Sequence, residues 1–265
     1  MFKILFFGDV VGAIGRRALC SALPDLRRKH SPDLVIVNVE NLSHGRGISA
    51  KTLAELDAAG CDGYTSGNHV WENPTGLPCF ADDRGAGRLA RPWNMDPALP
   101  GKGWFVAEKN GARIAVVNLM GRLLMEDGGA SSPFLSFDRV EKELKGKADA
   151  IFVDFHAETT SEKEAFGHYV DGRAAAVIGT HTHVPSADQK ILPGGTAYQS
   201  DAGRCGAVDS VVGFEKNSAI KRFLDPQEKA YDPTPEGQAE VDGVLITLDI
   251  DTGKAKGIDP IRVFC

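Results

Sequence analysis

Two histidines one residue apart, His181 and His183 in Gly179-Thr180-His181-Thr182-His183, follow directly on the apolar run Ala174-Ala175-Ala176-Val177-Ile178. Alternate side chains of an extended segment share a face, so both imidazoles can offer nitrogen to one cation or to two neighbouring ones. Other short apolar runs end in the same way. Ile4-Phe7 stops at Gly8-Asp9, Leu34-Val39 at Glu40-Asn41, Gly63-Ser66 at Gly67-Asn68-His69, and Ile151-Phe155 at His156. Each ending has an ordinary explanation by itself: Asp9 as a helix cap, Asn68 as a turn residue, the histidines as surface or core side chains. Their recurrence in one positional role argues instead for a shared site. A carboxylate such as Glu40, closing a run that reads as a buried strand, needs a partner to offset its desolvation, and a cation is such a partner.

Asp9, Glu40, Asn41, Asn68, His156, His181 and His183 are too many donors for one cation. Two cations about 3.5–4 Å apart, bridged by a carboxylate and a hydroxide, would use them all, which is the arrangement of two-metal phosphate hydrolysis. Two divalent ions less two carboxylates and a hydroxide leave a residual charge of about +1, suited to a singly charged phosphodiester or the monoanion of a monoester. Mixed nitrogen and oxygen donors favour iron, manganese or zinc over magnesium and calcium.

The elements that must carry these residues follow from the same runs. Short apolar strands, most of them followed by a helix-compatible polar stretch, predict an α/β protein whose site lies at strand ends. Ala13 to Lys29 and Ala50 to Ala59 have helical composition, with Gly60 as carboxyl cap of the second. Asn110-Gly111, between Trp104-Phe105-Val106 and Ile114-Ala115-Val116-Val117, is a hairpin signal that puts antiparallel pairing into the sheet. Gly243 to Asp249 and Ile261 to Phe264 read as closing strands. No linker, low-complexity tract or internal repeat divides the sequence, so a single domain over residues 1–265 is expected.

Composition limits the function classes. Of 265 residues, 42% are hydrophobic and 25% charged, values of an ordinary globular chain, and a formal charge of -6 disfavours a general nucleic-acid or membrane surface. A small anionic substrate remains compatible, because a bound cation dominates the field of its own cleft. Five scattered cysteines without a Cys-x-x-Cys pair suggest a reducing compartment. The amino-terminal apolar run reaches Gly8-Asp9 too soon for a signal sequence, and no run approaches the length of a membrane span, so a soluble cytoplasmic protein is expected.

Gly8-Asp9, Gly67-Asn68-His69, His156 and Gly179-Thr180-His181-Thr182-His183 resemble the ordered motifs of the calcineurin-like metallophosphoesterases. The departures are specific. Val11 stands where the first motif usually has a histidine, Val39-Glu40-Asn41 replaces the usual bridging-aspartate motif, and Thr180 replaces a residue near the last pair. With Gly8-Asp9-Val10-Val11-Gly12 and Asn38-Val39-Glu40-Asn41, the chain is similar to the YmdB-like branch over essentially its whole length. The resemblance implies a sandwich of two mixed β-sheets flanked by helices, and a binuclear centre of iron or manganese, with zinc also compatible. Glu40 would bridge the metals; Asp9 and His183 would serve one, and Asn41, Asn68, His156 and His181 the other. His69 would be the general acid. The implied activity is phosphodiester hydrolysis of cyclic nucleotides, 2′,3′- and also 3′,5′-, by a hydroxide held between the metals. A homo-oligomer is implied only by the same analogy.

Two other readings compete. Gly8, Gly12 and Gly15 after the first strand, with Glu40 closing another, imitate a dinucleotide-binding oxidoreductase, but the paired Gly-x-Gly is missing and Asp9 would set negative charge where pyrophosphate should lie. A regulatory module that binds a nucleotide or a partner with little turnover would use the same metal ligands. Arg16, Arg17, His44 and Trp71 are left open as substrate contacts, and Trp93 as a stacking residue; His30 and His168 read as surface side chains.

Overall fold

A computed structural model describes residues 1–80, 87–125, 129–225, 227 and 231–265. Thirteen strands among them form two mixed sheets. The first is built around β1 (Phe2–Phe7), which pairs in parallel with β3 (Leu34–Asn38) and antiparallel with β12 (Ala239–Asp249). β4 (Gly63–Thr65) extends it beyond β3, while β11 (Arg204–Ala207), the two-residue β2 (Asp9–Val10) and β13 (Lys254–Phe264) complete the β12 side. The second sheet runs β5 (Trp104–Lys109), β6 (Ala112–Met120), β7 (Ala150–His156), β8 (Ala176–Thr180), β10 (Ala197–Gln199) and β9 (Lys190–Ile191). β6, β7, β8 and β10 are parallel; β5 and β9 pair antiparallel at the two edges.

The period-2 alternation of the strands separates three apolar layers. Ile4 and Phe6 of β1 and Ile36 of β3 face Ile114, Val116, Phe152 and Ile178 of the other sheet, with the Phe6 and Phe152 rings 5.0 Å apart. Leu5, Phe7, Val35 and Val37 turn the other way and pack on α1 (Gly12–His30) and α2 (Ala50–Ala59). Val153, Phe155 and Val177 likewise back onto α3 (Pro133–Leu144) and α4 (Thr160–Tyr169). A last helix, α5 (Lys216–Leu224), lies before β12 in the chain. The same alternation places Asn38, two residues past Ile36, and Asp154 and His156, past Phe152, in the inter-sheet layer. That layer therefore turns polar where the parallel strands reach their carboxyl ends.

The expected helices and hairpin are present. α2 has a capping box, Ser49 and Thr52 each receiving the other's backbone N–H, and ends on Gly60 at φ 96°. Asn110 and Gly111 both have positive φ and turn β5 into β6. The closing strands are much longer than expected, because β13 is largely solvent-facing and its polar residues 254–259 hide the strand from an apolar-run reading. Asp9 does not cap α1, whose cap position is Val11 with no side-chain bond; it lies in β2, opposite Arg204 of β11.

Candidate metal centre

The loops after the strands deliver two chemically distinct sets of side chains to one place. Asp9, Glu40, Asn41 and Asn68 come from the first sheet, just beyond β1, β3 and β4; His156, His181 and His183 come from β7 and the turn after β8. All are buried except His181, which is partly so. Glu40, His156 and His181 form one group whose donor atoms lie within 4.8 Å of one another, and Asp9, Glu40 and His183 form a second. Glu40 belongs to both.

In the first group the donor atoms converge on one point. His156 Nε2 is 3.1 Å from Glu40 Oε2, from Asn68 Oδ1 and from His181 Nδ1. A Cβ on Gly67 would collide with both Glu40 Oε2 and His156 Nε2, so only glycine leaves this space free. In the second group His183 Nε2 is 3.1 Å from Asn41 Oδ1 and 3.9 Å from Asp9 Oδ1. Asn41 thus stands with Asp9 and His183, not with His156 and His181 as the resemblance implied. The reason is local: its amide nitrogen donates to Gly45 O at 2.9 Å, which turns its oxygen toward His183. Asp9 Oδ2 accepts from the backbone N–H of His181 at 3.1 Å, whereas Asp9 Oδ1 is buried with no hydrogen-bond partner among the described residues. An orphaned, fully buried carboxylate oxygen 3.9 Å from an imidazole nitrogen is a donor suited to a cation.

Protonation gives the same picture from the charge side. Burial raises the Asp9 carboxyl well above its ordinary range, with Glu40 and Asp201 adding to the effect. Burial opposes charging of His156, but Glu40, Asp9 and Asp154 prevail and hold it up at about 9. Burial and the His156 charge push His181 down to about 3, and burial also lowers His183. The carboxylates thus favour a positive charge at the centre, whether a proton on His156 or a cation.

Each imidazole is aimed by its second nitrogen. His183 Nδ1 donates to Val212 O at 2.8 Å, and His156 Nδ1 to Thr180 Oγ1 at 2.9 Å, which turns Nε2 of each ring to the centre. Thr180 donates its own proton to Asp154 Oδ1 at 2.6 Å; Asp154 also accepts from Asn38 and Thr65. His181 and His183 both have positive φ, 98° and 62°. Their turn is pinned by the buried Lys163–Asp201 pair: Lys163 Nζ donates to Thr180 O and Asp201 at 2.9 Å, and Asp201 accepts from Thr182 N and Oγ1. Asp154 was legible as an acid two residues before His156 on one strand face. Lys163 and Asp201 carry no comparable signal.

His69 lines the mouth of a cavity of about 150 Å³ that opens onto Glu40, Asn41, His181 and His183. Its Nδ1 is 2.5 Å from Glu72 Oε1, and its Nε2 lies 3.3 Å from the Asn68 amide nitrogen. Arg16 is occupied by Glu55 and Leu42 O, Arg17 by Pro235 O, and Trp71 by Pro100 O, so none of the three faces this cavity. His44 lines a separate polar pocket, and its loop neighbour Arg46 takes the place beside the centre.

Comparison with other proteins places the chain in a family. Residues 5–261 match the family described as YmdB-like protein. The chain belongs to the YmdB-like family. A Bacillus subtilis relative, named 2′,3′-cyclic-nucleotide 2′-phosphodiesterase, is 42% identical over 98% of this chain and 97% of its own. A Mycoplasma pneumoniae relative named as a putative phosphatase/phosphodiesterase is 39% identical over 98% and 92%. A crystal structure of a hypothetical protein from Thermus thermophilus superposes with a TM-score of 0.91 at 37% identity, covering 99% of both chains. Membership displaces the dinucleotide-binding reading. More distant 5′-nucleotidase structures, such as a precursor from Thermus thermophilus at TM-score 0.56 and 15% identity, share the fold of this YmdB-like chain. Among the described residues no helix is long and apolar enough to cross a membrane.

Proposed function

We propose that this chain is a metal-dependent phosphodiesterase acting on cyclic nucleotides, the 2′,3′-cyclic ones first and 3′,5′-cyclic ones as a further substrate. The observation that carries the reading is Glu40 shared between two donor groups, the position a bridging carboxylate occupies in two-metal hydrolysis. Asp9, Asn41 and His183 would hold one ion; Asn68, His156 and His181 the other. Iron, manganese or zinc suits these donors, and the family resemblance favours iron or manganese among them. The name of the Bacillus subtilis relative supports the substrate class. Localisation in the cytoplasm and a single domain over residues 1–265 complete the proposal.

When bound, the two ions would supply an acidified water and positive charge for the phosphoryl oxygens. The remaining work falls to the chain. An oxygen–phosphorus bond forms in line as the bond to the leaving oxygen breaks, and His69 would give that oxygen a proton from Nε2 once Nε2 exchanges its contact with the Asn68 amide nitrogen for the leaving oxygen. Glu72, holding Nδ1, fixes which nitrogen faces the pocket.

The test is a panel of 2′,3′- and 3′,5′-cyclic nucleotides, mononucleotides and bis-p-nitrophenyl phosphate, with and without chelator. Hydrolysis of the cyclic nucleotides that chelation stops is expected. His69→Ala should slow turnover about 10²- to 10⁴-fold while keeping most of the metal. A chelated protein that hydrolyses at the parental rate would sink the assignment.

A further inference from the structure

Among the described residues, the cavity above the candidate centre has one arginine or lysine side chain, which the ligand scheme does not use. Arg46 lines it together with His69, opposite Glu40 and Asn41. Its loop is not free to wander: Gly47 N donates to Glu40 O at 2.5 Å, Arg46 N to Ser43 O at 3.0 Å, and Asn41 Nδ2 to Gly45 O at 2.9 Å. His44, Gly45 and Gly47 all have positive φ, and a Cβ on Gly45 would meet Phe214 Cε1 at 2.8 Å. The residues on either side of the arginine are therefore tied to the backbone of Glu40 and to the side-chain amide of Asn41, the two residues that would touch metal. Its Nη1 bonds Glu72 Oε2 at 3.1 Å, while Glu72 Oε1 holds His69 Nδ1. The other guanidinium nitrogens make no hydrogen bond among the described residues, and the side chain is 44% exposed.

A guanidinium anchored at one nitrogen and lining a cavity shared with the candidate ligands Glu40, Asn41, His181 and His183 is built to take an anionic oxygen in a fixed direction. We propose that Arg46 contacts the substrate by binding a non-bridging phosphoryl oxygen, and that Glu72 is a positioning residue tying Arg46 and His69 together. This rests on the phosphodiesterase reading for its substrate, and extends it by naming the residue that holds the phosphoryl group beside the metals. One carboxylate then sets both the grip on the phosphoryl group and the aim of the proton donor. Removing Arg46 should weaken anion binding; removing Glu72 should damage proton donation to poor leaving groups.

The experiment uses metal-loaded full-length protein and two variants. Arg46→Gln keeps a donor for Glu72 but removes the charge. It should raise KM for a 2′,3′-cyclic nucleotide about 10- to 100-fold, and weaken calorimetric binding of inorganic phosphate in parallel, with metal content unchanged. Arg46→Lys should recover part of both. Glu72→Gln should slow cyclic nucleotides, which leave as alkoxides, at least about 10-fold more than bis-p-nitrophenyl phosphate, whose leaving group needs no proton; a merely structural role would slow both alike. Unchanged KM and phosphate affinity in Arg46→Gln at full metal content overturns the assignment of Arg46, and equal slowing of both substrates in Glu72→Gln overturns that of Glu72. If the wild-type protein hydrolyses no diester yet binds phosphate through Arg46, the phosphodiesterase reading falls and the anion site stands.

Discussion

The two sheets contribute unlike halves to one site. The first supplies oxygen donors just beyond β1, β3 and β4, and the second supplies every candidate imidazole ligand, from β7 and the turn after β8. Their support differs too. The imidazoles are held by an outer network, Asp154 with Thr180 behind His156, Val212 O behind His183, and the Lys163–Asp201 pair under the turn. On the oxygen side, Asp9 Oδ1 is left without a partner among the described residues and Glu40 leans on His156 of the other sheet. The nitrogen half is thus held by protein partners behind each ring, whereas on the oxygen side Asp9 Oδ1 is the atom that a bound cation would satisfy. Neither half is a site until the apolar layer of Phe6, Ile36, Phe152 and Ile178 brings the strand ends together.

Breaking the shared residue should have the largest effect. Glu40→Gln removes the one carboxylate common to both donor groups, and is expected to abolish binding of both metals and to cut diester hydrolysis by more than about 10³-fold, read by elemental analysis and steady-state rates. Next, Gly67→Ala puts a methyl between Glu40 and His156, where the halves meet. A loss of about 10²-fold in metal affinity at the His156 side is expected, because the added carbon would collide with Glu40 Oε2. A milder change tests the preorganised half: Thr180→Val keeps the shape behind His156 but deletes its hydroxyl, and metal affinity should fall about 10- to 100-fold in a titration against a competing chelator.

The smallest expected effect concerns pH. In chelated protein His156 is held up at about 9 against an ordinary 6.5, so its contribution to stability is complete below about 6.5 and is lost as pH rises through 9. Asp9, raised by burial, acts in the same direction, since its ionisation costs stability. The Tm of chelated protein should drop by about 5 °C between pH 6.5 and 9, and metal-loaded protein should show no such drop, because the cation replaces the protons.

The donors of both halves were legible in the sequence. An apolar run that stops on Asp, Glu-Asn, Asn-His or His states both the strand and the residue at its end, and all seven donor residues do meet. The support was hidden because it is made by residues distant in sequence: Lys163 and Asp201 lie on different elements, and nothing local marks them as partners. Arg46 escapes a sequence reading that points to its neighbour His44, since a loop with three positive-φ residues does not reveal which of two nearby side chains turns inward. The first part of β13 and all of β11 escape because an edge strand facing water, and a four-residue strand reading Arg-Cys-Gly-Ala, carry no apolar run.

Two cations held between a nitrogen half and an oxygen half are tested most directly by counting metal in protein purified without chelators. Two transition-metal ions per chain are expected, both lost with activity on chelation and both restored with it. A chain that carries no metal and hydrolyses cyclic nucleotides, or one that keeps its full activity with a single ion, would contradict this division of the site.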